Sequence, residues 1–227
     1  MNRILVIAAH PDDEILGVGA TIMKHVQNGS NAEAIILGEG QTSRSFLGDN
    51  LAVDLVEQLH DDTRKAGKII GYSNIHFSRF PDNRFDRVDL LDIIKVIEQR
   101  LKEYKPDIIY THHGGDLNID HRRTFQAVLT ATRPIGDYCV KEIYAFETLS
   151  STEWNFSNKS NVFLPNVFQD VSEYIEQKCQ AMKQYQTELC EFPHPRSIEG
   201  IQIAAKKWGS VAGVRYAEAF ELIRMVQ

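Results

Sequence analysis

The sequence predicts an α/β fold: a Rossmann-like, mostly parallel sheet flanked by helices, with a C-terminal strand and helix extension. Two observations lead to this class. Short apolar runs, of the length of a buried parallel strand, alternate with longer segments in which apolar residues recur at helical spacing. This alternation of strand and helix repeats through four units. Polar clusters directly follow some of the strands, at the edge where open α/β sheets bind ligands. The 227 residues suit one domain, which we expect to span residues 1–227.

Each element has a local signal in the sequence. Short apolar runs predict buried strands at Ile4–Ala9 and Asp107–Thr111. Further strands are predicted at Ala32–Leu37, Asn74–Ser78 and Glu142–Phe146. Apolar residues at helical spacing predict helices at about Asn50–Gly71, Val88–Tyr104, Arg122–Arg133, Glu173–Leu189 and Ser197–Trp208. A further helix follows residues 10–14 directly. Asn161–Phe168 is predicted to be extended, and the type of Ala217–Ile223 is left open.

Composition limits the classes of function. The net charge of −6 gives no support for nucleic-acid binding. The three cysteines, Cys139, Cys179 and Cys190, lack paired spacing, which is typical of reduced thiols. The N-terminus lacks a signal-peptide pattern, and no apolar run approaches the ~20 residues of a membrane span. We therefore expect a cytoplasmic protein without a transmembrane segment.

The first polar cluster is His-Pro-Asp-Asp-Glu at residues 10–14. It follows the first strand, so His10 and Asp13 can face one point just beyond the sheet. Neutral imidazole and carboxylate are ordinary zinc ligands. A single aspartate that caps the next helix would explain either Asp12 or Asp13, but not the whole cluster. The cluster therefore predicts a metal site to which His10 and Asp13 contribute.

The second polar cluster, at residues 112–121, follows the fourth strand. In a parallel sheet it lies at the same edge as the first cluster. We expect His121 to be the third ligand, with His112 and His113 as alternatives. Asp120 or Asp116 could accept a hydrogen bond from a ligating imidazole and orient it. Two histidines and one aspartate leave a coordination position for water, as in catalytic zinc sites.

Asp12 lies beside the ligand Asp13 and is not needed as a ligand. A carboxylate facing a metal-bound water can act as general base, while the metal lowers the pKa of the water. This arrangement predicts hydrolytic attack on a carbonyl or phosphoryl centre.

These residues resemble the PIG-L/LmbE family of zinc-dependent N-deacetylases. The resemblance rests on the 10–14 cluster and on Asn-Ile-Asp-His at 118–121, and weaker similarity covers nearly the whole chain. It implies removal of acetyl groups from N-acetylglucosaminyl substrates, with zinc on His10, Asp13 and His121. It also implies that Asp12 is the general base and that Arg44 and Asp82 contact substrate.

One position departs from the family pattern. Many members carry a histidine three residues before the last ligand, where this chain has Asn118. Asparagine can donate a hydrogen bond to substrate but cannot carry a positive charge. We predict that His194, flanked by Pro193 and Pro195, supplies the missing donor to the oxyanion.

The sequence thus predicts a metal-dependent hydrolase that removes an N-acyl group, most simply acetyl, from an amino sugar or sugar conjugate. Zinc is the expected cofactor, with another divalent metal as an alternative. The expected partner is a small N-acetylated sugar, and a homo-oligomer is allowed. Two other functions are considered: a metal-dependent phosphoesterase, which would commonly need two metals, and a non-catalytic sugar-binding module.

Overall fold

A computed structural model of the protein describes residues 1–41, 43, 51–136, 138–156 and 161–227. Its centre is a seven-stranded sheet in the order β3-β2-β1-β4-β5-β7-β6. The strands are β1 (Arg3–Ala8), β2 (Asn31–Gly38), β3 (Asn74–Phe80), β4 (Ile108–His112), β5 (Glu142–Phe146), β6 (Val167–Asp170) and β7 (Ala217–Met225). Strands β1 to β5 pair in parallel, and β7 runs antiparallel to both β5 and β6. The predicted α/β, mostly parallel fold is confirmed.

The order in which strands are added to the sheet reverses direction between β1 and β4. Strands β2 and β3 lie on one side of β1, and β4 and β5 lie on the other. The chain therefore leaves β1 and β4 towards opposite faces, which opens a crevice at their carboxyl ends. Both polar clusters of the sequence follow these two strands.

The helices cover both faces of the sheet. They are α1 (Asp13–Leu16), α2 (Gly19–Gln27), α3 (Leu51–Ile70), α4 (Leu90–Tyr104), α5 (Ile119–Ala131), α6 (Ile175–Met182) and α7 (Ile198–Ala212). Ile4 and Val6 of β1 face a core shared with α2, α6 and α7, and Leu5 and Ile7 face a core shared with α4 and α5. All four side chains are fully buried, as expected for a central strand covered on both faces.

Three elements differ from the sequence prediction. The helix after β1 is broken: α1 has four residues, and α2 begins at Gly19. Helix α6 stops at Met182, because the chain tightens into turns that bury Tyr185. The undetermined segment from Ala217 is the antiparallel strand β7. Among the described residues, no helix is long and apolar enough to cross a membrane.

Candidate metal centre

The turn between β1 and α1 carries the first half of the site. The backbone N–H of His10 donates to Oδ2 of Asp13 at 2.8 Å, which fixes the two residues relative to each other. Asp12, between them, has a φ of 95°, in the left-handed region. A non-glycine residue in that conformation stores strain of about 1–3 kcal/mol and persists only when its surroundings hold it. The side chain of Asp12 makes no capping bond to α1, so Asp12 does not serve as the simple helix cap that was the alternative to a functional role.

Three ligand atoms converge where the turn meets α5. Nδ1 of His10 lies 3.5 Å from Oδ2 of Asp13 and 3.3 Å from Nε2 of His121. The third side of the triangle, from His121 Nε2 to Asp13 Oδ2, is 3.4 Å. Zinc bonds of about 2.0–2.2 Å in a tetrahedron require ligand atoms roughly 3.3–3.6 Å apart. The three predicted ligands therefore fit a zinc ion without rearrangement.

Each histidine of the triangle has a carboxylate at its other nitrogen. Asp120 lies 2.9 Å from Nε2 of His10, and Asp116 lies 3.1 Å from Nδ1 of His121. We expected Asp120 or Asp116 to orient His121; the structure places Asp116 there and turns Asp120 to His10. Carboxylates at this position orient ligating histidines in metal sites. The contact of Asp120 with His10 is a hydrogen bond, and that of Asp116 with His121 is an ion pair.

The carboxylates make the cluster attractive to cations. Burial lowers the pKa of His121, but Asp13 and Asp116 outweigh it and raise the value to about 9. Burial likewise opposes, but does not prevent, a raised pKa at His10, where Asp120 and Asp13 accept hydrogen bonds. Both shifts have the same cause, a buried negative field that a metal cation can neutralise.

Both nitrogens of each alternative ligand already have hydrogen-bond partners, although Nε2 of His112 also lies 3.4 Å from Oδ2 of Asp13. Nε2 of His112 accepts the backbone N–H of Ala9 at 2.9 Å, and Nδ1 lies 3.0 Å from Oγ1 of Thr148. This pairing uses both nitrogens of a neutral ring, and burial lowers the pKa of His112 to about 3. His113 contacts Glu221 through Nδ1 and the carbonyl of Asn161 through Nε2.

Asp12 meets an arginine that our sequence interpretation missed. Oδ2 of Asp12 lies 3.2 Å from Nη1 of Arg196, which also lies 3.1 Å from Glu188. Burial and the neighbouring Asp13 raise the pKa of Asp12 well above its usual range, and Arg196 opposes this. The signal in the sequence was the loop that contains His194: the cation that reaches the site from this loop is two residues further on.

His194 itself has a different environment from the one we expected. It is not among the described residues that line the cavity over His10, Asp13 and His121. Its ring packs edge-on against Trp154, and Nδ1 accepts the N–H of Arg196 at 3.1 Å. Burial and Arg196 lower its pKa, which disfavours the protonated form that our prediction required.

Asp82 and Asn118 both line the cavity. Asp82 is 4% exposed; one carboxylate oxygen accepts from Ser43 at 2.5 Å, and the other lies 3.3 Å from His10. Asn118 caps α5 by accepting the N–H of Asp120 at 2.8 Å, and its Nδ2 donates to Asn83 at 3.0 Å. Arg44, the other predicted substrate contact, lies outside the described residues.

The cavity above the cluster has a volume of about 160 Å³. Its floor is formed by the metal triangle and Asp12. Its walls come from the ends of both halves of the sheet, including Gly40, Gln41, Thr148–Ser151, Glu188 and Arg196. The three ligand residues and Asp12 all line this cavity, so a small polar group that enters it can approach all four side chains.

Fold and site together define a class: a Rossmann-like α/β protein with a two-histidine, one-aspartate cluster suited to a metal at the reversal of its sheet. The chain belongs to the PIG-L family, whose model, described as GlcNAc-PI de-N-acetylase, matches residues 5–132. This is a family of deacetylases, and the resemblance inferred from the sequence is confirmed.

Individual proteins place the chain more closely. It is 32% identical over 191 residues to the protein described as uncharacterized deacetylase YaiS of Escherichia coli K12, covering 81% of this chain and 90% of that one. It is 24% identical to diacetylchitobiose deacetylase of Thermococcus kodakarensis, covering 98% and 84%. The solved structure of GalB, the 4-carboxy-2-hydroxymuconate hydratase of Pseudomonas putida KT2440, superposes with a TM-score of 0.76 at 18% identity, covering 100% and 99%. Because that neighbour is a hydratase, the fold alone does not determine the reaction.

Proposed function

We propose that the protein is a zinc-dependent N-deacetylase that removes the acetyl group from an amino sugar or a sugar conjugate. The observation that carries the proposal is the triangle of His10, Asp13 and His121, with the Asp12 carboxylate beside it. Membership of a deacetylase family supports the reaction. The substrate named for the Thermococcus relative, diacetylchitobiose, supports an N-acetylated sugar.

In this proposal, each residue of the site has a separate role in amide hydrolysis. Zinc held by the triangle would polarise the amide carbonyl and lower the pKa of water. Arg196 holds Oδ2 of Asp12, so we assign the proton transfer to Oδ1. Asp12 takes a proton from the attacking water at that atom and returns it to the leaving amine. Arg196 keeps the carboxylate oriented throughout, because its guanidinium is also anchored on Glu188.

The remaining predicted residues take supporting roles in this proposal. Asp120 orients His10 through Nε2. Asp82 and Asn118, at the cavity wall, bind hydroxyl or amide groups of the sugar, and Arg44 keeps the substrate role that the resemblance implies. His194 has no part in the mechanism, because it faces Trp154 rather than the cavity. A cytoplasmic location and a homo-oligomer stay predictions.

The direct test is to incubate the purified protein with N-acetylglucosamine and N,N′-diacetylchitobiose and to measure free amine and acetate. We expect turnover by the zinc-loaded wild type. Asp12→Asn should lower kcat by about 10²–10⁴-fold and retain zinc, because a positioned general base contributes on that scale. Asp61→Asn, which changes an exposed aspartate on α3, is the matched control and should leave kcat unchanged.

Three outcomes would contradict the proposal. Full activity in Asp12→Asn would remove Asp12 from the mechanism. Two zinc ions per chain with hydrolysis of phosphate esters would favour the phosphoesterase. Tight sugar binding without turnover at any zinc concentration would favour the binding module.

A further inference from the structure

The broken helix after β1 is held from outside the segment that matches the family. Residues 5–132 include the metal cluster, α1 and α2. The side chains that clasp this region come from α6, from the turn after it and from β7. They reach the turn of Asp12 by two separate routes.

The first route runs through Glu14. The hydroxyl of Tyr185, a fully buried side chain, donates to Oε1 of Glu14. The other oxygen, Oε2, accepts the backbone N–H of Asp12 at 3.0 Å. Tyr185 therefore holds the carboxylate that in turn holds the amide of the strained residue. Since φ of Asp12 depends on the placement of that amide, this chain of two bonds favours the left-handed turn.

The second route bridges the break between α1 and α2. Nζ of Lys178 donates to the carbonyl of Leu16, the last residue of α1, at 2.7 Å. It also pairs with Glu218 at 2.6 Å. The two oxygens of Glu218 accept the N–H groups of Ala20 and Thr21 in the first turn of α2, at 3.1 and 2.7 Å. The pair thus closes the end of one helix and the start of the next.

Stability alone is a weak reason for such a pair. Lys178 and Glu218 are each only 4% exposed. Removing two charges from water costs several kcal/mol each, and apolar side chains often replace buried pairs without loss of stability. What this pair does, and an apolar pair could not, is to fix two helix ends by hydrogen bonds. Those helix ends set the direction of α1 and hence of Asp13 at its start.

We propose that Tyr185, Lys178 and Glu218 are positioning residues that hold the turn carrying Asp12 and the ligand Asp13. The proposal rests on the proposed function for its catalytic consequence. Its structural consequence is independent of that function: without these contacts the sheet still forms, while the turn opens more often and the ligand atoms lose their spacing.

Tyr185→Phe is the principal test, because it removes one hydroxyl and keeps the ring. We expect zinc affinity, measured by competition with a chelator, to fall by up to about 10-fold, the lower end of the effect of losing a direct hydrogen bond to a ligand, because Tyr185 acts through Glu14. We expect kcat to fall by a similar factor with little change in KM. Tyr144→Phe is the matched control: it removes a tyrosine–glutamate hydrogen bond of 2.7 Å on β5, away from the turn.

Hydrogen exchange separates this proposal from the function. Without zinc, the backbone amides of His10, Asp12, Asp13 and Glu14 should exchange faster in Tyr185→Phe than in wild type and in Tyr144→Phe. Glu218→Gln tests the second route by the same three measurements and serves if Tyr185→Phe does not fold. Wild-type zinc affinity and exchange rates in both folded variants would overturn the proposal. Absence of deacetylation by the wild type would contradict only the proposed function.

Discussion

Two histidines that lie side by side, His112 and His121, differ in the partners of their ring nitrogens. The rings of His112 and His121 stack 4.0 Å apart, nearly parallel. The Nε2 atoms of both rings lie 3.4 Å from Oδ2 of Asp13. That of His112 already accepts the backbone amide of Ala9, whereas that of His121 faces Nδ1 of His10. The sequence places all three histidines of the 112–121 cluster after one strand. It cannot show which ring meets a backbone donor, because that depends on the alignment of β4 with β1.

At the residue scale we predict the metal content of two variants. His121→Ala should lose stoichiometric zinc, because it removes one corner of the triangle. His113→Ala should keep it, because His113 contacts Glu221 and Asn161 instead. Zinc per chain, measured by elemental analysis after gel filtration, checks both. Full zinc in His121→Ala would show that the third ligand is wrong.

At the scale of secondary-structure elements, the strands were easier to predict from sequence than the break between helices α1 and α2. Apolar runs located the central strands β1, β2, β4 and β5, because a strand buried on both faces needs consecutive apolar residues. The edge strand β3 is only partly buried and carries a weaker pattern. The break at Gly17 has no comparable signal, because it depends on a distant contact. A Cβ at Gly17 would lie 2.2 Å from the ring of Phe146 on β5. Likewise Arg196 and Tyr185 lie far from the metal-site sequence and could be assigned to it only once the chain was folded.

The contact at Gly17 leads to a stability prediction. Gly17→Ala should lower the free energy of unfolding by about 1–3 kcal/mol, because the new methyl overlaps a packed aromatic ring. Gly19→Ala is the control: its nearest contacts are side-chain methyl groups at 3.3 and 3.5 Å rather than a ring at 2.2 Å, so it should lower the free energy of unfolding less than Gly17→Ala. Urea unfolding followed by circular dichroism measures both. Equal stability of the two variants would contradict this account of the break.

The link between β7 and the end of β4 should make stability depend on pH. Nδ1 of His113 lies 2.7 Å from Glu221. Burial lowers the pKa of His113, but Glu221 and the Asn161 carbonyl raise it overall; burial raises the pKa of Glu221, but His113 lowers it overall. The contacts that raise the pKa of His113 stabilise the fold fully below the unfolded value of 6.5, and this stabilisation is lost as pH rises through the folded pKa. The contact that lowers the pKa of Glu221 stabilises the fold fully above the unfolded value of 4.5, and this stabilisation is lost as pH falls through the folded pKa.

The contribution of this pair is therefore largest between about pH 4.5 and 6.5. We expect Glu221→Gln to lower Tm relative to wild type more at pH 6 than at pH 9. Glu173→Gln, at an exposed position before α6, is the control and should show no such difference. A Tm loss of equal size at both pH values would assign the effect to packing rather than to charge.

At the scale of the whole molecule, one sheet joins the two halves of the chain. Strand β7, from the last residues, pairs with β5, and side chains from the second half hold the turn of the first. The length of the sequence predicts a single domain, and this stays a prediction. The sequence could not show that the second half completes the site, because the pairing of β7 was not evident from its pattern.

This coupling predicts one cooperative thermal transition that responds to zinc. A ligand that binds only the folded state adds about 2.7 kcal/mol at a hundredfold excess over its Kd. Zinc should therefore raise the Tm of the wild-type protein, and a chelator should reverse the shift. Calorimetry checks both points. Two separate transitions would contradict the single domain, and a Tm insensitive to zinc would contradict the metal centre.

The direction of β7 also determines where the two ends of the chain emerge. The N–H of Arg3 donates to Asp107, just before β4, and the N–H of Val226 donates to Lys141, just before β5. Both ends therefore leave at the amino edge of the parallel strands, opposite the cavity. A fusion partner, an affinity tag or a solid support joined to either end would extend away from the cavity. A chain of residues 1–227 should accept immobilisation through residue 1 or residue 227 without covering the cavity.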